Sequence, residues 1–222
     1  MNLRLLESLF LLLLAGCASG GPRWHADAVG WLETYREQAL AGETRLAPAA
    51  YANALAEFKR GGDWDGLAVA HLTRCAVERA TDQPLLGCAA YTAQQPLGAS
   101  RSNDAYARWL AGAATREDIE FLPPVYRDLA AAMQSGNAAL SAERLSRIEP
   151  PLSALVALAL VWRELPDAGP ALAAGEALAG KQGWLAAHRT CLGREIVLLK
   201  QRGDAAGAAE REKRLRLLGT GP

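Results

Sequence analysis

β-Branched aliphatic residues are scarce: seven Val and three Ile occur in 222 residues, against a background dominated by Ala and Leu. That composition suits helices and deprives a sheet of the side chains that pack on a pleated surface, so all-β and α/β folds are nearly excluded. Net charge is also missing. The 24 basic and 24 acidic side chains cancel, which argues against a broad electrostatic footprint, and no nucleic-acid partner is expected. No apolar run reaches the roughly 20 residues that a membrane-spanning helix needs. His-Glu-x-x-His, Gly-x-Ser-x-Gly and Ser-x-x-Lys strings are absent, so three hydrolase routes lack their characteristic sequences. What remains is half hydrophobic and 22% charged, enough to bury a sizeable core and inconsistent with wholesale disorder.

The N-terminus reads as an address rather than as fold sequence. Arg4 precedes an apolar run from Leu9 to Ala15, followed by Leu14-Ala15-Gly16-Cys17 and the small, polar stretch Ala18-Ser19-Gly20. The Leu-Ala-Gly-Cys tetrapeptide resembles the lipobox of bacterial lipoproteins. The resemblance implies a signal peptide over residues 1–16, cleavage before Cys17, diacylglycerol on the Cys17 thiol and an acylated new amine. Each buried methylene contributes about 0.8 kcal/mol, so two or three chains hold where one does not. Glu7 departs from the family's cationic leader by offsetting Arg4. Ala18 lacks the Asp that retains such lipoproteins in the inner membrane, so the implied location is the outer membrane, facing the periplasm.

Residues 17–23 form the expected lipidated tether, and an all-α domain is expected over residues 24–222. Trp24, Ala28, Trp31, Leu32, Tyr35 and Ala39 recur at helical spacing, as do Tyr51, Leu55 and Phe58. Asp63 opens a third helix in which Trp64, Leu67, Ala68, His71, Leu72, Cys75 and Ala76 follow one buried face. Further helices are expected near 84–95, 102–113, 124–135, 137–148, 152–163, 168–180, 183–202 and 204–218, about eleven in all. Leu152 to Trp162 is nearly all apolar and too short to cross a bilayer, so a central helix buried on most sides is expected. Glu210 to Arg216 alternates acids and bases, as on the solvated face of a terminal helix.

Three connectors share one chemistry. Gly62-Asp63, Gly136-Asn137 and Gly203-Asp204 each place a glycine where one helix should end in a left-handed residue and an Asp or Asn where the next should be capped. Helical hairpins follow. Lys59-Arg60-Gly61-Gly62-Asp63-Trp64-Asp65-Gly66-Leu67 resembles the turn of a tetratricopeptide repeat. Leu192-Gly193 with Gln201-Arg202-Gly203-Asp204-Ala205-Ala206-Gly207-Ala208 is similar to the same pattern, with about one extra turn in its first helix. The resemblance covers two segments of roughly 35 residues and implies a helical-hairpin array, a TPR-like α-solenoid. A compact, non-repeating α-bundle is the alternative.

Once Cys17 is lipidated, Cys75, Cys88 and Cys191 remain in an oxidising compartment where a disulfide is permitted. If residues 81 and 82 turn one helix into an antiparallel partner, Cys75 and Cys88 lie six positions to either side and meet. A Cys75–Cys88 disulfide is therefore expected, closing about 14 residues and stabilising by roughly 3 kcal/mol in the chain-entropy model. Cys191 reads as a small buried hydrophobe. His71 with Cys75 and His188 with Cys191 have ligand-like helical spacing. Each pair lies on an apolar stripe near a tryptophan, so packed core is the reading, and no metal, haem or other cofactor is expected.

No catalytic residue is assigned. Gly175 to Gln182 nearly matches a phosphate loop but ends in Gln where a hydroxyl must hold magnesium, and no strand precedes it. Glu117, Asp118 and Glu120, ahead of Pro123-Pro124, read as a helix start where acids favour the macrodipole. The expected function is a scaffold or assembly factor of the cell envelope, lipid-anchored at the outer membrane. It would bind another envelope protein in a concave groove. Candidate recognition aromatics are Trp109, Tyr106 and Tyr126. No small-molecule substrate is expected. The alternative is a cell-wall enzyme or regulator related to the superhelical domains of lytic transglycosylases, with Glu117 or Glu120 as the acid.

Overall fold

The computed structural model describes residues 22–97 and 100–219. The expected leader, Cys17 and most of the expected tether lie outside the described residues. Eleven α-helices account for about three quarters of the described residues, and no strand occurs among them. They are α1 (Arg23–Ala41), α2 (Ala47–Gly61), α3 (Trp64–Ala80), α4 (Leu86–Gln94) and α5 (Arg101–Ala111). After a 3₁₀ segment at Arg116–Phe121 come α6 (Pro124–Gln134), α7 (Ala138–Leu145), α8 (Pro151–Val161), α9 (Gly169–Gln182), α10 (Leu185–Gln201) and α11 (Ala205–Leu217). None is long and apolar enough to cross a membrane.

The three connectors work through their side chains. Gly62, Gly136 and Gly203 take φ of 66°, 68° and 75°, the left-handed region that a Cβ disfavours. Behind them, Asp63 accepts from the Gly66 N–H at 2.8 Å, Asn137 from Leu140 at 3.0 Å and Asp204 from Gly207 at 2.8 Å. One unpaired amide at each helix start is thereby satisfied.

Packing is organised around α3 and α8. Helix α3 touches α1, α2, α4, α5 and α8, and α8 touches α3, α6, α7 and α9. Leu155, Val156, Ala157, Leu158 and Val161 of α8 are all buried, which explains why its sequence carries no polar face. Glycine sets the closest approaches. A Cβ on Gly87 would lie 2.4 Å from the Cys75 nitrogen and 2.5 Å from the His71 carbonyl oxygen, so α4 lies directly on the α3 backbone. Gly175 of α9 is similarly placed against Leu158 and Cys191. The phosphate-loop-like string that it begins lies inside this helix.

The array also closes on itself. In an open solenoid each unit touches only its sequence neighbours. Here α10 packs against α1, and Trp184 Nε1 donates to Glu37 Oε2 at 2.7 Å across 147 residues. Helix α11 buries only Ala208, and its charges answer α10: Arg211 Nε donates to Glu195 at 2.5 Å and Lys200 pairs with Glu212 at 2.7 Å.

Candidate functional site

The α1–α2 hairpin turns at Gly42 (φ 88°), and α3 crosses beneath it. Between them opens a cleft of about 510 Å³. Its floor is aromatic. Tyr35 from α1 and Tyr51 from α2 are both buried, with ring centroids 5.1 Å apart. Helix α3 adds Arg74 and Glu78 to the lining, and His71, about one turn earlier on the same face, meets Tyr51 without lining the cleft.

These groups form one connected set. The Arg74 guanidinium sits 5.1 Å over the Tyr51 ring, and its Nε donates to Glu78 Oε1 at 2.7 Å. The second Glu78 oxygen accepts the Gly87 N–H at 2.8 Å, so this buried carboxylate also caps the start of α4. The Tyr51 hydroxyl and His71 Nδ1 are 2.5 Å apart. Burial pushes the Tyr51 hydroxyl up to about 12, with Arg74 opposing. Burial, reinforced by the Glu78 charge, pushes Tyr35 still higher. Burial lowers His71, and Lys59 and Arg74 lower it further. Both partners are thus neutral at pH 7, and one hydrogen bond joins the Tyr51 hydroxyl to the imidazole Nδ1. Burial works against the Arg74 charge, but the hydrogen bond and charge of Glu78 outweigh it and hold the guanidinium protonated.

Apolar walls with a few fixed polar groups are the anatomy of a binding cleft. Tyr35 supplies a hydroxyl, and Glu43, Thr44 and Gln83 lie exposed at the rim. The sequence places Tyr35 and Tyr51 on apolar stripes without singling them out as a site. The Arg74/Glu78 pair, four residues apart on the otherwise largely apolar face of α3, could have marked the site but was not among the candidate residues.

Apart from His71, which contacts Tyr51, the residues singled out from sequence fall elsewhere. Cys75 and Cys88 lie at disulfide distance, with Cα atoms 5.1 Å apart. Cys191 is fully buried, and burial pushes its thiol up to about 11. His188 faces Glu176 at 3.2 Å. Among the described residues no group of three His, Cys, Asp or Glu side chains is arranged to hold a metal ion. Asp118 is buried, whereas Glu117 and Glu120 are exposed on the 3₁₀ segment. The proposed recognition aromatics are largely core: Trp109 and Tyr126 are buried with rings 5.5 Å apart, and Tyr106 stacks on Tyr126 at 5.8 Å. Trp31 and Trp64 are exposed instead.

No protein-family model matches this chain, and neither a curated protein nor a solved structure matches it.

Proposed function

We propose that this chain is a lipid-anchored scaffold of the cell envelope that holds a segment of another envelope protein in the Tyr35–Tyr51 cleft. The observation that carries the reading is the cleft itself: about 510 Å³, with an aromatic floor and the Arg74–Glu78 pair fixed in its wall. An extended segment suits it, since apolar side chains fill the walls while the tyrosine hydroxyls meet backbone amides and carbonyls. The anchoring part rests on Leu14-Ala15-Gly16-Cys17 and its likeness to the lipobox. The Cys75–Cys88 pair supports a periplasmic setting, because that compartment permits disulfides. The outer membrane is proposed from Ala18 in the position after the lipidated residue.

The test is a photocrosslinking amino acid placed at Thr44 or Gln83 on the rim, with Glu143 on α7 as the remote control, in cells of the native host. The reading expects one discrete protein adduct from the rim positions, found in the membrane fraction, and none from Glu143. Absence of any adduct, or equal adducts from all three positions, overturns it.

A further inference from the structure

A second cleft, of about 340 Å³, shares no lining residue with the first. It opens where the end of α8, the middle of α10 and the last turns of α11 meet the turn after α3. Arg163, Arg189 and Arg194 line it, and Asp82 is its one acidic residue. Three positive charges against one negative leave +2 in the lining, in a chain whose formal net charge is zero.

The arginines are incompletely used. The Arg194 side chain is 2% exposed and forks onto Asp82, with Nη2 to Oδ1 at 2.6 Å and Nε to Oδ2 at 3.1 Å. Its Nη1 is buried and has no partner. Leaving a donor on a buried charged group unmade is costly, so it requires an explanation. Arg189 spends Nη2 on the Leu218 carbonyl at 2.5 Å, but its buried Nε is also unpartnered. Arg163 rests on the Trp162 ring at 4.7 Å, which presets its guanidinium without consuming its donors. Asp82 is the only non-glycine at positive φ (53°) among the described residues, so the Arg194 fork is held by a backbone conformation that most side chains disfavour.

We propose that this arginine cleft binds a phosphate group. A carboxylate needs one guanidinium fork, and Asp82 already fills that role for Arg194. A tetrahedral anion with three acceptor oxygens suits three guanidinium groups from two different elements. A phosphate monoester carries about −1.5 to −2 at neutral pH, which matches the +2 of the lining. Trp162, Val197 and Leu215 add apolar wall beside the arginines, so the cleft accepts a phosphate either free or carried on an apolar body, as in a lipid headgroup. This inference stands apart from the partner cleft and does not depend on it.

Arg194→Gln risks misfolding, because Arg194 is buried and its fork ties α10 to the turn after α3. Gly193 offers a cleaner probe: a Cβ there meets nothing within 4 Å, and the residue lines the cleft in the middle of α10. Gly193→Leu therefore fills the cleft while keeping every charge, and it favours the helix. The experiment is calorimetric titration of the full chain with inorganic phosphate, pyrophosphate, soluble dihexanoyl phosphatidic acid, whose phosphate is a monoester, and dihexanoyl phosphatidylcholine as the phosphodiester control. Saturable binding of phosphate or pyrophosphate, weakened at least about tenfold by Gly193→Leu and by Arg163→Gln with unchanged circular dichroism, supports a free phosphate ligand. Binding confined to phosphatidic acid, with the same two losses, supports a lipid-borne phosphate. No saturable binding of any probe up to about 10 mM, or equal binding by Gly193→Leu, overturns the proposal.

Discussion

Asp118 shows how much one carboxylate can organise. It accepts Arg108 Nε at 2.9 Å, the Thr115 amide at 2.8 Å and the Thr115 hydroxyl at 3.1 Å, closing a capping box at the 3₁₀ segment. The Arg108 hydrogen bond, with help from Thr115, holds its pKa down to about 2 against the cost of burial. A carboxylate depressed below its unfolded value of about 3.9 contributes stability that is complete above that value and disappears as pH falls through about 2. Asp118→Asn is expected to lower unfolding free energy by about 1–2 kcal/mol at pH 7, and the deficit to shrink between pH 4 and 2. Urea titrations at several pH values measure this; a deficit independent of pH contradicts it.

His71 runs in the other pH window. Its folded pKa lies below the usual histidine value, so the unfolded chain takes up the proton first and stability falls as pH drops below about 6.5. His71→Gln should lose less stability between pH 7 and 5 than the wild type does. An equal loss in both removes His71 as the cause. At this scale the sequence was informative where a residue acts on its neighbours. The acids around Asp118 were legible as a local start signal, and Cys191 as an apolar filler. Glu78 was not legible, because the amide it caps belongs to Gly87, nine residues on and in another helix.

Elements were legible in proportion to how locally they are determined. The three glycine–acid connectors carry their own cap and their own left-handed residue, so their positions follow from the sequence. Helix α4 carries neither: Leu85 offers no side-chain cap, and the helix begins at Leu86, two residues later than its apolar pattern suggests. Its position is set instead by Gly87 against α3 and by the Cys75–Cys88 pair. Gly87→Ala puts a methyl into the α3 backbone, which has no rotamer with which to yield. Overpacking of this kind costs about 1–3 kcal/mol, outweighing the helix preference of alanine, and should lower Tm by roughly 2–10 °C in a chain this long. A Tm equal to or above the wild type contradicts the close crossing. Changing Cys75 and Cys88 together to Ser should cost about 3 kcal/mol in denaturant unfolding; no change there would mean that the pair is not bonded in the protein tested.

The tetratricopeptide-like turns imply a stack whose units meet only in sequence order, yet nothing in a local pattern reports that α1 returns to α10. The Glu37–Trp184 hydrogen bond and the Arg194–Asp82 fork join segments 147 and 112 residues apart. Such ties couple the ends, so unfolding followed by tryptophan fluorescence and by circular dichroism should coincide in one transition. Separate transitions would mark independently melting hairpins. The two clefts were invisible for the same reason, since each is built from residues far apart in sequence.

The proposed function requires that acyl groups on Cys17 hold the chain at a membrane while its helical array presents a binding surface. The most direct measurement is fractionation of native-host cells with an alkaline wash, comparing wild type with Cys17→Ala. The account predicts that the wild type stays in the outer-membrane pellet and that the variant appears, folded, in the soluble fraction. A variant that remains in the washed membranes as firmly as the wild type would contradict it.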